Sequence, residues 1–190
     1  MKILAVIVGV IVVELALAVL FIHSGLYNVA VTSPDPRPLR WVFSTTSDNS
    51  VESHAKGIAA PQLNDSSMIG EGFDHYNEMC VGCHGAPGIE RSEIGRGLYP
   101  RGPNLAHSAK EMSPAEIFWV IKNGIKSTGM PGFGITHSDQ KIWAMVAFVE
   151  KLPNMTPAEY KAYQKIAVNE EDAEEGMKEM NMSRHPRKTK

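Results

Sequence analysis

The chain has two cysteines, and both lie in the stretch Cys80-Val81-Gly82-Cys83-His84. C-x-x-C-H is the spacing at which a haem is attached covalently to protein. Each thiol forms a thioether with one vinyl group, and the adjoining histidine is placed to bind the iron from one face. Other readings of these residues fit less well. A disulfide would have no use for His84. A zinc site wants a fourth ligand, usually from a second Cys/His pair, and there is none. A thioredoxin-like redox pair wants a βαβ context that the flanking sequence does not supply.

An iron held by His84 needs a second axial ligand or an open position. Met130 is the best candidate ligand. It lies 46 residues beyond His84, in Gly129-Met130-Pro131-Gly132-Phe133-Gly134, where glycine and proline shape the backbone to present one side chain. His107 or His137 would give a bis-histidine site instead. Met112, Met145 and Met155 fall in or near expected helices and read as packing. A thioether is a soft ligand that favours ferrous iron, so His/Met ligation raises the reduction potential and closes the iron to small molecules.

The elements that must position these groups are helical. Ser66 or Ser67 caps a helix running to about Met79. On it Gly72 and Tyr76 stand eight and four residues before Cys80 and share a face. From Gly85 to Ser113 comes a long irregular stretch, rich in Gly and Pro, of the kind that a haem would order. Arg91 and Glu93 read there as loop charges. Ser113-Pro114 with Glu116 predicts a capping box and a helix that stops at Asn123-Gly124. Ser138 caps a further helix, Asp139 to Leu152, whose apolar face holds Ile142, Met145, Val146 and Val149. Pro153 ends it. No segment is rich in strand signals and no repeat is present.

Upstream, Ile3 to Ile22 is an apolar run long enough, at about 1.5 Å per residue, to span a bilayer core. A secretory h-region is shorter, about 7–15 residues, so residues 1–24 read as an uncleaved anchor. Glu14 near its middle either meets another membrane subunit, serves a proton-linked role, or is simply tolerated. His23 and Tyr27 suit the interface. Ser33-Pro34-Asp35-Pro36-Arg37-Pro38 reads as a helix breaker. Residues 25–65 then form a periplasmic linker, with a short helix around Val51–Ile58. His54 within it reads as solvated. Trp41, Val42 and Phe43 either pack on the domain or rest at the membrane surface. If flexible, residues 32–65 would reach about 30–35 Å. Residues 66–155 form the globular domain. Residues 156–190 give one more helix, to about Val168, and a tail that is acidic over 170–175 and basic over 184–190.

With Gly72-x-x-x-Tyr76-x-x-x-Cys80-x-x-Cys83-His84, Gly102-Pro103-Asn104-Leu105, Met130-Pro131 and a last helix bearing Met145 and Phe148, residues 66–152 resemble a class I monohaem cytochrome c. They are similar especially to the small domains found as subunits of cbb-type oxidases and of periplasmic dehydrogenases. The resemblance implies an all-α class I cytochrome c fold, three to four core helices around one covalent haem c, here with an N-terminal transmembrane helix. It implies that the first and last helices cross at Gly72 with Tyr76 and Phe148 beside the crossing. It also implies that a proline carbonyl, from Pro103 or Pro100, accepts the His84 ring proton and so orients the ring. Arg96, Arg101, Trp119 and Lys126 are candidate propionate partners by type, and each reads equally well as ordinary surface or core.

The expectation is therefore a one-electron carrier or electron-transfer subunit of a respiratory chain, not an enzyme. It would be tethered to the bacterial inner membrane with its haem domain in the periplasm. Its partners would be a redox donor and acceptor, or a membrane oxidoreductase complex. A peroxidase would want an open, polar distal side, and a gas or redox sensor would displace Met130. The net charge of −2 gives no sign of nucleic-acid binding.

Overall fold

The computed structural model of the protein describes residues 1–167, and both charge blocks of the tail lie outside the described residues. The chain divides into two compact units, Met1–Asp35 and a second that begins at Pro36.

The first unit is built on α1 (Lys2–His23), an unbroken helix of 22 residues with no buried residue. It is long and apolar enough to cross a membrane. The Ser24 hydroxyl, donating to the Phe21 carbonyl at 2.7 Å, helps to close its last turn. The Tyr27 hydroxyl hydrogen-bonds to the Asp35 carboxylate.

The second unit is a set of helices: α2 (Arg37–Ala55), α3 (Ser66–His75), a π-helical turn (Tyr76–Cys80), α4 (Val81–His84), α5 (Glu93–Gly97), α6 (Leu105–Ser108), α7 (Pro114–Asn123), α8 (Asp139–Val149) and α9 over 157–167. Short 3₁₀ turns lie at Phe133–Ile135 and Leu152–Asn154. Among the described residues the only bridge-type pairing is the isolated Ala86–Ile89 contact.

The core is organised by the crossing of α3 on α8. Its closest point is Gly72, where any Cβ would collide with the Ala144 carbonyl oxygen and lie 3.0 Å from the Phe148 Cβ. Only a glycine lets the two backbones approach so nearly. Around the crossing Tyr76 and Phe148 pack with ring centroids 5.3 Å apart, and Phe73 meets Phe148 edge-on at 5.4 Å. Ile142, Met145, Val146 and Phe148 of α8 are completely buried.

Local chemistry starts the helices. At α7, Ser113 Oγ accepts from the Glu116 N–H and the Glu116 carboxylate accepts from the Ser113 N–H, the full capping box. Ser138 caps α8. At α3 the cap is Asp65, not Ser66 or Ser67. Its Oδ1 accepts from the Ser67 hydroxyl and from the N–H groups of Met68 and Ser67, at 3.0 and 2.9 Å, and these bonds, the hydroxyl's first, hold its carboxyl below the usual range.

Three stretches differ from expectation. The helix expected to reach Met79 changes to π geometry at Tyr76. The irregular stretch 85–113 contains α5 and α6, started by Ser92 and Asn104 side chains that accept from Gly95 and Ala106 N–H groups. Residues 37–55, expected to hold only a short helix near Val51, form one helix of 19 residues that packs on α7 and buries Val51 and Ala55. His54 is exposed, as expected, with its ring beside that of Trp119, centroids 5.4 Å apart.

Candidate haem site

Cys80 closes the π turn, and α4 carries Cys83 and His84. A π turn holds one residue more than an α turn, so it rotates the next residues by about 100° about the helix axis. Three hydrogen bonds fix α4 from outside. The Tyr76 hydroxyl donates to the Gly85 carbonyl at 2.6 Å. The Gly82 carbonyl accepts from both the N–H and the hydroxyl of Ser92, at 2.9 and 3.0 Å. Both thiols are free. Burial pushes the Cys80 thiol up to about 12, so it stays protonated. In that state it is a poor nucleophile. Among the described residues no group of three His, Cys, Asp or Glu side chains is placed to hold an ion.

His84 is oriented by the backbone of the segment 102–104. Its Nδ1 lies 2.9 Å from the Pro103 carbonyl oxygen, which can only accept, so Nδ1 carries the proton and Nε2 presents a lone pair. The carbonyl at this position is that of Pro103 and not of Pro100. Gly102 makes the approach possible: a Cβ there would lie 3.0 Å from the Cys83 carbonyl oxygen and 3.3 Å from the His84 ring. Burial lowers the His84 pKa, the Pro103 bond opposes this, and the nearby Arg91 charge lowers it further.

Arg91, which read as a loop charge, belongs to this site. Its Nη2 donates to the Gly102 carbonyl at 2.8 Å, holding the segment that holds His84. Its Nε is buried with no protein acceptor. A buried guanidinium nitrogen without a partner costs free energy and fits an anionic group that the protein does not itself supply. No feature of the sequence singled Arg91 out. Arg96, Arg101 and Lys126 are exposed, and Trp119 is half-buried beside His54.

Met130 lies between α7 and α8, partly buried against the core. Its backbone is held at both ends. The N–H donates to Thr128 Oγ1 at 3.1 Å and the carbonyl accepts from the Ile125 N–H at 3.2 Å, while the Thr128 hydroxyl itself donates to the Ile125 carbonyl. His107 is exposed, and His137 packs against His75 and Phe133 and bonds to Thr136. Met145 is wholly in the core; Met112 and Met155 pack at its edge.

The residues present thus fit a covalent haem: two thiols at the required spacing, an imidazole with a free Nε2, a clamped methionine and an orphaned guanidinium nitrogen. Residues 67–149 match the family model described as cytochrome c oxidase, cbb3-type, subunit III. No curated protein matches the chain.

Proposed function

We propose, from the monohaem class I cytochrome c domain that residues 67–149 carry, that the protein is a membrane-tethered one-electron carrier or electron-transfer subunit of a respiratory chain. Cys80 and Cys83 hold one haem c, His84 binds its iron from one face and Met130 from the other. Bound there, the haem supplies an iron centre that takes up and gives back one electron without a bond being made or broken in the protein. The chain's own residues keep that centre fixed. Pro103 and Gly102 hold the His84 ring, and Arg91 braces Gly102 and offers its buried Nε to an anionic edge of the group.

The observation that carries this reading is the backbone clamp on Met130, bonded on both sides of its peptide units. A ligand loop held in this way needs little rearrangement between oxidation states, as a carrier requires. Met130 bound to the iron would also close it to reagents, which supports a carrier over an enzyme. The apolar helix α1 supplies the tether. The haem domain works on the periplasmic side of the bacterial inner membrane, between a redox donor and acceptor or within an oxidoreductase complex.

Spectra of the haem-loaded protein test the ligand set. The oxidised protein should show a methionine–iron charge-transfer band. Met130→Ala should abolish it, lower the potential and admit carbon monoxide to the reduced form. Ready binding of carbon monoxide by the unaltered protein would replace the carrier with a sensor or a peroxidase. Salt-resistant membrane association tests the anchor, and a mature N-terminus beyond residue 24 would remove it.

A further inference from the structure

Helix α2 packs over only part of its length. Its second half buries Val51 and Ala55 and sets the His54 ring beside Trp119. No residue from 36 to 50 is buried, and the first turns carry Trp41, Val42 and Phe43 exposed by 67%, 46% and 59%. Two large aromatics beside a valine, open to water on a helix that is otherwise docked, require a cover.

Three observations point to the nature of that cover. The three residues are consecutive, so at about 100° each they spread over some 200° of the helix circumference. A protein groove covers one stripe of a helix, at i, i+3 and i+4; a helix end that enters the headgroup layer tip-first meets lipid on several sides. The charges beside them are Arg37 and Arg40, and no acidic residue occurs in α2 before Asp48. Aromatic rings with arginines whose stems can extend to phosphate are the side chains of the headgroup zone. Finally, only residues 24–36 separate the end of α1 from the start of α2. Thirteen residues have an r.m.s. reach of about 20 Å if flexible. Within them Leu26, Val29 and Val31 are also exposed apolar side chains.

We propose that the first two turns of α2, Arg37–Ser44, dock in the headgroup layer of the bilayer that α1 spans. Trp41, Val42 and Phe43 enter the acyl boundary, and Arg37 and Arg40 bind phospholipid phosphates. The proposal rests on the membrane-anchor reading above. Because α2 runs unbroken from this tip into its contact with α7, docking holds the haem domain in one orientation to the membrane and abolishes the free swing that a flexible 25–65 linker would allow.

The test uses the full-length, haem-loaded protein in nanodiscs containing phosphatidylglycerol. With Cys80 and Cys83 held as thioethers, a nitroxide is placed on Val42→Cys, on Leu17→Cys within α1, or on Glu52→Cys as an aqueous reference. Its accessibility to oxygen and to a water-soluble nickel chelate is then measured. The labels at positions 17 and 42 should both favour oxygen over nickel. Adding Arg37→Gln or Arg40→Gln should reduce the docked population at position 42 by about fivefold each, with no change at position 17. A position-17 label in lipid and a position-42 label as open to nickel as position 52 would overturn the docking alone. A position-17 label open to nickel would overturn the anchor itself. A position-42 label shielded from both reagents in detergent, without a bilayer, would mean a protein cover and would also overturn the proposal.

Discussion

His84 is oriented by a main-chain oxygen, so the residue to change is not the one that makes the bond. Pro103→Ala leaves the carbonyl in place, and the potential and stability of the haem-loaded protein should hardly move. Gly102→Val should act strongly. Its Cβ would press at 3.0 Å on the Cys83 carbonyl and at 3.3 Å on the His84 ring, driving the 102–104 segment away. Overpacking of this kind costs about 1–3 kcal/mol. Losing the Pro103 acceptor makes the imidazole less basic, a poorer donor to ferric iron, so the potential should rise. Spectroelectrochemistry with a denaturant titration reads both effects, and a potential unchanged in Gly102→Val would show that the carbonyl does not tune the ring. The pairing of His84 with a proline carbonyl was legible only through the resemblance to class I cytochromes c, which left Pro103 and Pro100 both open; the structure selects Pro103. The place of Arg91 was not, because its role arises from a fold-back on Gly102, with no local pattern to mark it.

Helices α7 and α8 were legible from their ends, where Ser113, Glu116 and Ser138 satisfy N–H groups by local bonds that sequence spacing displays. Helix α2 was not. Its middle, Ser44 to Ser50, is made of weak helix formers, and Pro38 read as a breaker although it sits in the first turn, where its missing N–H is not needed. Long-range packing on α7 is what sustains that helix. The π turn at Tyr76 left no local signature either. The α3–α8 crossing makes a sharp prediction: Gly72→Ala must push two backbones apart at the Ala144 carbonyl. It should cost about 3 kcal/mol, at the upper end for a small overpacking change, measured by denaturant unfolding. At the edge of the same pair, burial keeps the His75 pKa below its ordinary 6.5, and the facing His137 and Lys141 add to this while Glu71 and Glu78 oppose it. The unfolded chain therefore takes up the proton first. Stability from this group is complete above about pH 6.5 and falls as pH drops below it. His75→Gln should flatten the decline in stability between pH 7 and 5, and an unaltered decline would place its source elsewhere.

The unit that folds together is larger than the matched stretch 67–149. From beyond its end, Leu152 and Tyr160 are buried in the main core, with Tyr160 edge-on to Phe73 at 5.4 Å and its hydroxyl donating to Asn77 at 3.2 Å. From before its start, α2 lays Val51 and Ala55 on the domain. A core assembled from both flanks explains why the family's motifs alone do not outline it: the flanking segments bring packing, not chemistry. The two flanks should respond differently to truncation of a side chain. Tyr160→Ala empties an aromatic site in the main core and should cost about 3–5 kcal/mol. Val51→Ala removes two buried methyl groups from the α2–α7 contact and should cost about 1–3 kcal/mol. Were 37–55 only a tether, Val51→Ala would instead behave as a surface change, within about 0.5 kcal/mol. Urea unfolding of the haem-loaded protein, followed both by helix content and by the haem absorbance, separates these cases. If α2 belongs to the domain, the Val51→Ala loss appears at the same midpoint by both probes. A loss seen in helix content alone would mean that α2 melts off separately and leaves the haem environment intact.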